Sequence, residues 1–404
     1  MTTSTELREA VHRHMPRARD DLAKLVAFKS VADQTQYPIE ECIGAARYVA
    51  DAFSALGFRD TRLIDMPQGH PAVYGEYPGP EGAPTVLLYS HYDVQPPLDE
   101  SAWRTPVFEL TEKDGRWYGR GAADCKGNIV MHLTALRALG GGNYPVSLKM
   151  ISEGSEEQGL DELEEFVPSN PGLLRADTIL ICDTGNFAVG QPSLTTTLRG
   201  LCNIVVEVKT LNTPMHSGMF GGPAPDALIA LIKILDTLHD ERGNVTIRGL
   251  ENTQTWPGVQ YDEAQFRRDA NVRDGVRLTG DGTISDMLWA RPSLTVLAID
   301  CPRIAGSAGV VQAEASAKVS LRIPPGTKRE QAMAAMKDQI RAAAPWGVQL
   351  EITEVGSGNP FQSEPNGPAG KVLQEAMREA YGREMSTEGQ GGSIPLCNVF
   401  KETF

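Results

Sequence analysis

Hydrophobic positions recur along this chain with two periods. From about Glu6 to Leu56 the spacing is helical and amphipathic. It predicts two helices, the second carrying Ile43, Ala46, Val49, Ala50, Phe53 and Leu56 before Gly57 stops it. At Thr85 the pattern changes to a continuous apolar run, Val86, Leu87, Leu88 and Tyr89, closed by Ser90, which suits a strand buried on both faces. Two similar runs follow, Val146 to Ser152 and Thr178 to Cys182. Between the first and second runs a helix is predicted with Ile129, Leu133, Leu136 and Leu139 on one face, after a hairpin around Asp114-Gly115. Strands alternating with helices predict an α/β fold with a mostly parallel sheet.

From Leu198 to Val355 the order is different: strand (Cys202 to Lys209), helix (Asp226 to His239), two strands (Ser293 to Asp300, Ala317 to Ile323), helix (Lys328 to Ala343) and strand (Val348 to Glu354). That is the split β-α-β order of a ferredoxin-like α+β domain. The insertion from Asp240 to Arg291 is too long for a plain connection, which points to function or to packing on a neighbouring part. The expected organisation is a first domain over 1–197, an inserted domain over 198–355, and a return to the first over 356–404.

Candidate chemistry collects where the buried strands of the first domain end, the rim at which open α/β sheets bind ligands. His91 and Asp93 follow the first run. Side chains alternate in extended chain, so both point the same way, and the carboxylate could fix the tautomer of a metal-binding imidazole. Asp124 stands in the glycine-flanked GRGAADCKGN, Glu156 and Glu157 in SEGSEEQG beyond the second run, and Asp183 directly after the third. Singly, each has an ordinary reading: a surface histidine, a helix N-cap, solvated charge. Together they place His91, Asp124, Glu157 and Asp183 at one rim, the composition of a carboxylate-bridged pair of divalent cations. In the second domain, His216 lies in the loop MHSGMFGG before a helix, and Arg322 alternates with apolar residues in a strand, where a solvent-facing role is the ordinary one.

Composition narrows the partners. The 404 residues carry a formal charge of −14, which argues against nucleic acid and anionic membranes and suits bound dications. Six scattered cysteines without a CxxC pair fit a reducing cytoplasm. The charged N-terminal helix lacks a signal-peptide core, and no later run approaches the ~18 apolar residues of a membrane span.

The motifs SHYDVQP, WYGRGAADCKG, SEGSEEQG, ICDTGN, MHSGMFGG and GQGGSIP, in this order and spacing, resemble the dinuclear zinc metallopeptidases that include cytosolic nonspecific dipeptidase, carnosinase, carboxypeptidase G and succinyl-diaminopimelate desuccinylase. The HSGMFGG loop and aspartate at 183 are most similar to the dipeptidase branch. The resemblance implies that Asp124 bridges two divalent cations, Zn²⁺ or alternatively Mn²⁺, with His91 and Asp183 at one and Glu157 at the other. Glu156 becomes the general base toward a bridging water whose pKa falls from ~15.7 toward ~7, and Asp93 orients His91. It further implies a cis peptide at Asp124–Cys125, a His216 that polarises the scissile carbonyl, an Arg322 that holds the free carboxylate of a dipeptide or small peptide, and substrate contacts from Gly392 and Ser393. The inserted domain becomes a lid through which a homodimer forms, with His216 serving the partner's site.

One element of the family pattern is missing. Relatives carry a second histidine ligand beyond the GGSIP loop, whereas this sequence stops at Phe404, and of its other histidines only His132 lies close to a motif. The expectation is a C-terminally truncated form whose second cation is weakly held or absent and whose activity is impaired. Two alternatives stay open: an N-acyl-amino-acid deacylase of the same family, and an inactive, metal-poor binding or dimerisation module.

Overall fold

The computed structural model describes residues 3–404 apart from 160–161, 184 and 393. Packing divides the chain into two compact units, one of residues 1–192, 371–384 and 399–404, the other of residues 193–370 and 385–398.

The first unit opens with the helix Ser4–Ala27, started by a capping box: Thr3 Oγ1 accepts from the Glu6 amide and the Glu6 carboxylate accepts from the Thr3 amide. Its apolar face meets the helices Ile39–Ser54 and Lys126–Ala138 in a core of Leu22, Leu25, Val26, Val49, Phe53, Ile129 and Leu133. Asp21, buried between the three helices, accepts from Tyr48 Oη at 2.7 Å and from Arg137 Nη1 at 2.6 Å. Two carbonyls at the end of the first helix, the buried Leu25 and the half-buried Phe28, are satisfied by Lys126 Nζ at 2.8 Å each.

These helices flank a five-stranded mixed sheet in the order Arg59–Ile64, Ala72–Tyr77, Ser147–Glu153, Thr85–His91, Thr178–Ile181. The last three strands are mutually parallel, and the first two extend the sheet antiparallel. Thr85–His91 has a parallel neighbour on either side, which explains its uninterrupted apolar composition. Register then aligns the chemistry: His91 pairs with Glu153, and Tyr89 pairs with Ile181, so Asp183 stands level with His91. A two-residue turn at Asp114-Gly115, both at positive φ (52° and 70°), closes the hairpin of Thr111–Lys113 and Arg116–Tyr118.

In the second unit the antiparallel order Ser293–Asp300, Glu314–Ile323, Gly200–Lys209, Gln349–Gly358 carries the helices Ala227–Asp236 and Arg329–Ala343. Ile204, Val206, Leu231, Ile234, Val319, Leu321, Met336 and Ile340 fill the space between, the ferredoxin-like arrangement. The long segment before Ser293 folds on this unit through Trp256, Tyr261 and Trp289, with the Trp289 ring 5.4 Å from Trp256 and 6.2 Å from Tyr261. A small sheet of Phe361–Gln362, Ser193–Leu198 and Ser386–Gln390 presents the loop that begins at Gly391. Among the described residues no helix is long and apolar enough to cross a membrane.

Candidate metal centre

His91 is fully buried at the carboxyl end of its strand, and carboxylates surround it. Its Nε2 lies 3.0 Å from Asp124 Oδ1, 3.3 Å from Asp183 Oδ1 and 3.9 Å from Glu156 Oε2. Its Nδ1 lies 3.1 Å from the Asp93 carbonyl and 3.3 Å from Asp93 Oδ1, an arrangement that fixes the ring and turns Nε2 toward the acids. The Asp124–Cys125 peptide is cis.

The two glutamates sit in the short 3₁₀ turn Glu156–Gln158, positioned mostly by backbone. Asp93 Oδ2 accepts from the Glu157 amide at 3.0 Å, so one residue orients the imidazole and anchors the acidic turn. Gln95 Nε2 donates to Glu157 Oε2 at 2.9 Å and to its carbonyl at 2.8 Å. The structure thus brings His91, Asp93, Asp124, Glu156, Glu157 and Asp183 to one rim of the first unit.

Electrostatics follow from this crowding. Burial, then the charges of Asp183, Asp93 and Glu157, pushes Glu156 up to about 8 against the opposing effect of His91. Burial also raises Glu157, while the adjacent imidazole holds Asp124 below the usual carboxylate range. For His91, burial alone favours the neutral ring, but contacts with Asp124, Asp183 and Asp93 outweigh it and its pKa is raised. The centre calls for positive charge.

Two buried atoms support a cation in particular: His91 Nε2 and Asp183 Oδ1 have no hydrogen-bond partner of proper geometry. Imidazole nitrogen and carboxylate oxygen are donors suited to Zn²⁺ or Mn²⁺. Ligand atoms of His91, Cys125 and Asp183 lie within 4.8 Å of one another. The residues present therefore fit a divalent cation.

Sequence reasoning overlooked three participants. Cys125, also fully buried, reaches the cluster through the turn after Asp124, and Asn128 Nδ2 lies 3.2 Å from its sulfur. Glu153 accepts from Tyr89 Oη at 2.5 Å, and burial pushes it up to about 7. Its position at the end of a strand parallel to that of His91 was the available signal. Gln95 lies in SHYDVQP, but nothing in its spacing pointed to Glu157. His132, the remaining histidine near a motif, is buried with Nε2 3.2 Å from the Tyr89 carbonyl, and burial lowers it to about 4, so it stays neutral and donates there.

His216, Arg322 and Gly392 belong to the second unit. His216 is exposed and accepts at Nδ1 from the Gly218 amide at 3.1 Å, which assigns the ring proton to Nε2 and leaves that nitrogen as a donor. Arg322 is half-buried in Glu314–Ile323, opposite Ser293 and Leu201, and forms no ion pair among the described residues. Gly392 is exposed. Ser393 lies outside the described residues.

Known proteins resemble this chain over most of its length. The cysteinylglycine-S-conjugate dipeptidase of Corynebacterium striatum is 44% identical over 365 residues, covering 89% of this chain and 80% of the relative. The Cys-Gly metallodipeptidase dug1 of Schizosaccharomyces pombe is 28% identical over 412 residues, covering 95% and 85%. The solved structure of human carnosine dipeptidase 1 superposes with a TM-score of 0.82 at 26% identity, covering 98% of this chain and 90% of that one. The profile of Peptidase family M20/M25/M40 matches residues 87–400. With that match and these relatives, the chain belongs to Peptidase family M20/M25/M40 and is a hydrolase.

Proposed function

We propose that this protein hydrolyses dipeptides, with Cys-Gly and S-substituted Cys-Gly peptides as the leading substrate class. The reading rests on one observation: His91 Nε2 stands within 3.3 Å of both Asp124 and Asp183 and within 3.9 Å of Glu156, at the shared rim of parallel strands. The substrate class comes from the relatives that carry those names.

His91, Asp124 and Asp183 would hold one divalent cation, and Glu157 a second together with Asp124. When bound, such cations supply Lewis acidity that makes hydroxide accessible at neutral pH. Glu156 takes the proton of the attacking water and returns it to the leaving amine. Asp93 holds His91 in orientation. His216 donates from Nε2 to the scissile carbonyl oxygen, and Arg322 pairs with the substrate's free carboxylate, which limits cleavage to short peptides. The four-stranded unit acts as lid and homodimer contact, with His216 serving the partner's site. Zn²⁺ is the leading cation and Mn²⁺ the alternative. The Glu157 side is the weaker one, since it lacks an imidazole among the described residues. Buried thiols at Cys42, Cys125 and Cys202 suit a reducing, cytoplasmic setting.

The test is a side-by-side assay of Cys-Gly, other dipeptides and N-acetyl and N-succinyl amino acids, on protein stripped with chelator and reloaded with Zn²⁺ or Mn²⁺. Metal-dependent release of glycine from Cys-Gly is the expected result. Preference for the N-acyl substrates would replace the reading with a deacylase. No hydrolysis in any metal state would leave a binding module.

A further inference from the structure

A cavity of about 620 Å³ opens in the second unit between the strand Ser293–Asp300 and the segment that precedes it. Its size falls within the range of about 300–1,000 Å³ typical of small-molecule sites. Much of the wall is apolar, with contributions from Val245, Phe266, Leu288 and Leu294. The wall also carries polar groups, among them His239, Ser293, Arg199 and Glu263, whose carboxylate is paired with Arg267 at 2.8 Å. Arg199 is 8% exposed, its Nε has no hydrogen-bond partner, and its Nη1 donates to Ser293 Oγ at 2.8 Å.

A guanidinium so buried ordinarily faces a carboxylate or phosphate. Arg199 forms no ion pair among the described residues, and the charge that acts on it is that of another cation, Arg322. Burial first and Arg322 second push it down to about 10, which reflects an uncompensated positive charge. The backbone fixes this arrangement. The Arg199 amide donates to the Gln390 carbonyl at 3.1 Å, and a Cβ placed on Gly391 would come within 2.8 Å of Nη2, so the guanidinium is held tightly beneath that loop. A chamber with an apolar side, its one carboxylate already paired with Arg267 and a preorganised guanidinium without an ion pair, is complementary to an amphipathic anion.

We propose that this cavity binds a small organic carboxylate with an apolar body, the carboxylate held by Arg199 and Ser293 and the body packed against Phe266, Leu288 and Leu294. All these groups lie in one unit, so binding does not require the cations of the first. The occupant is either a substrate or product of the peptidase site or a separate effector, because both can present the same chemistry.

The test is calorimetric titration of the full chain with N-acetylphenylalanine and with its neutral amide, in Zn²⁺ and after chelator treatment. Saturable binding of the acid in both conditions is expected. The amide should bind roughly ten- to hundredfold more weakly, the value of a hydrogen-bonded charge. Thr295→Trp and Thr283→Trp, at exposed positions on the cavity wall, should each abolish binding by filling it, and if one variant fails to fold the other carries the test. Arg199→Lys keeps the charge but loses the planar fork, and should weaken the acid and not the amide. Displacement by Cys-Gly marks a substrate or product carboxylate, and its absence a separate effector. Equal binding of acid and amide, unchanged affinity in a folded tryptophan variant, binding only with Zn²⁺, or no binding of the acid would overturn the proposal.

Discussion

Replacing Glu156 by glutamine separates the base from the ligands. The turn that presents it is held by main-chain bonds, Gln158 N to Ser155 O at 3.3 Å and Gly159 N to Glu156 O at 2.9 Å, and by the Asp93 clasp on the Glu157 amide. None of these uses the Glu156 carboxylate, so the variant keeps the turn. Glu156 is also the most distant of the acids flanking Nε2, 3.9 Å against 3.0 Å for Asp124 and 3.3 Å for Asp183. Its loss should therefore change cation affinity little. Glutamine cannot take a proton from water, and removal of a general base costs about 10²–10⁴ in rate. That corresponds to about 3–5 kcal/mol of barrier, expected in kcat with KM nearly unchanged. Steady-state hydrolysis of Cys-Gly measures the rate, and elemental analysis with cation titration measures loading. If Glu156→Gln loses cation as severely as His91→Ala, the residue is a ligand and the assigned role is wrong.

Four further outcomes follow from other contacts. Asp93→Asn should weaken cation binding by about 10- to 100-fold, because Asp93 orients His91 and anchors Glu157; unchanged affinity by titration would contradict that role. His216→Ala should lower turnover far more than metal content, and equal loss of both would show it to be misassigned. Arg137→Ala leaves Asp21 buried with a missing partner, a cost of about 3–5 kcal/mol measurable by chemical denaturation. Asp21 lies below the ordinary carboxylate pKa through Tyr48 and Arg137, which overcome the effect of burial, so its contribution is complete above the unfolded value of about 3.9 and is lost as pH falls through the folded value; the variant should lack that acid limb. Burial pushes Lys126 down to about 7, so between about 7 and the unfolded value near 10.4 the unfolded chain holds a proton that the folded chain lacks. Stability therefore gains from rising pH in that window, and Lys126→Met should remove this gain while costing stability through the stranded Leu25 and Phe28 carbonyls.

The parts legible from sequence share a physical cause. The apolar run at Thr85 is unbroken because its strand lies between two parallel neighbours and is largely buried, whereas the shorter run at Thr178 forms the sheet's edge and leaves Leu180 exposed; in both, register carries the polar residue that follows to the same rim. His91 and Asp183 could be read that way. The α/β class and the ferredoxin-like order followed from the same periodicities. What escaped depends on contacts between distant segments. Nothing in CKGN sets Lys126 apart, yet it is buried, its Nζ donating to two carbonyls about a hundred positions earlier. Glu153 reads as the first residue of an acidic loop, but the strand continues through it in register with His91. Arg199 belongs to an unremarkable LRG stretch, and its burial without an ion pair among the described residues is visible only once Ser293 and Gly391 close around it.

The same reasoning connects the composition to the chemistry. An overall charge of −14 is a diffuse property that any acidic surface could produce. Here some of it is concentrated: six carboxylates, those of Asp93, Asp124, Glu153, Glu156, Glu157 and Asp183, surround or approach a single imidazole. Gathered around one imidazole and partly buried, such acids repel unless protons or cations intervene; burial first, and the charges of neighbouring carboxylates after it, raise Glu153, Glu156 and Glu157. Proton uptake relieves it one charge at a time, whereas a dication supplies two charges at one point and also satisfies the partnerless His91 Nε2 and Asp183 Oδ1. A fold that merely stored acidic residues would have no reason to leave those two buried atoms without partners. One that binds divalent cations requires them to be free.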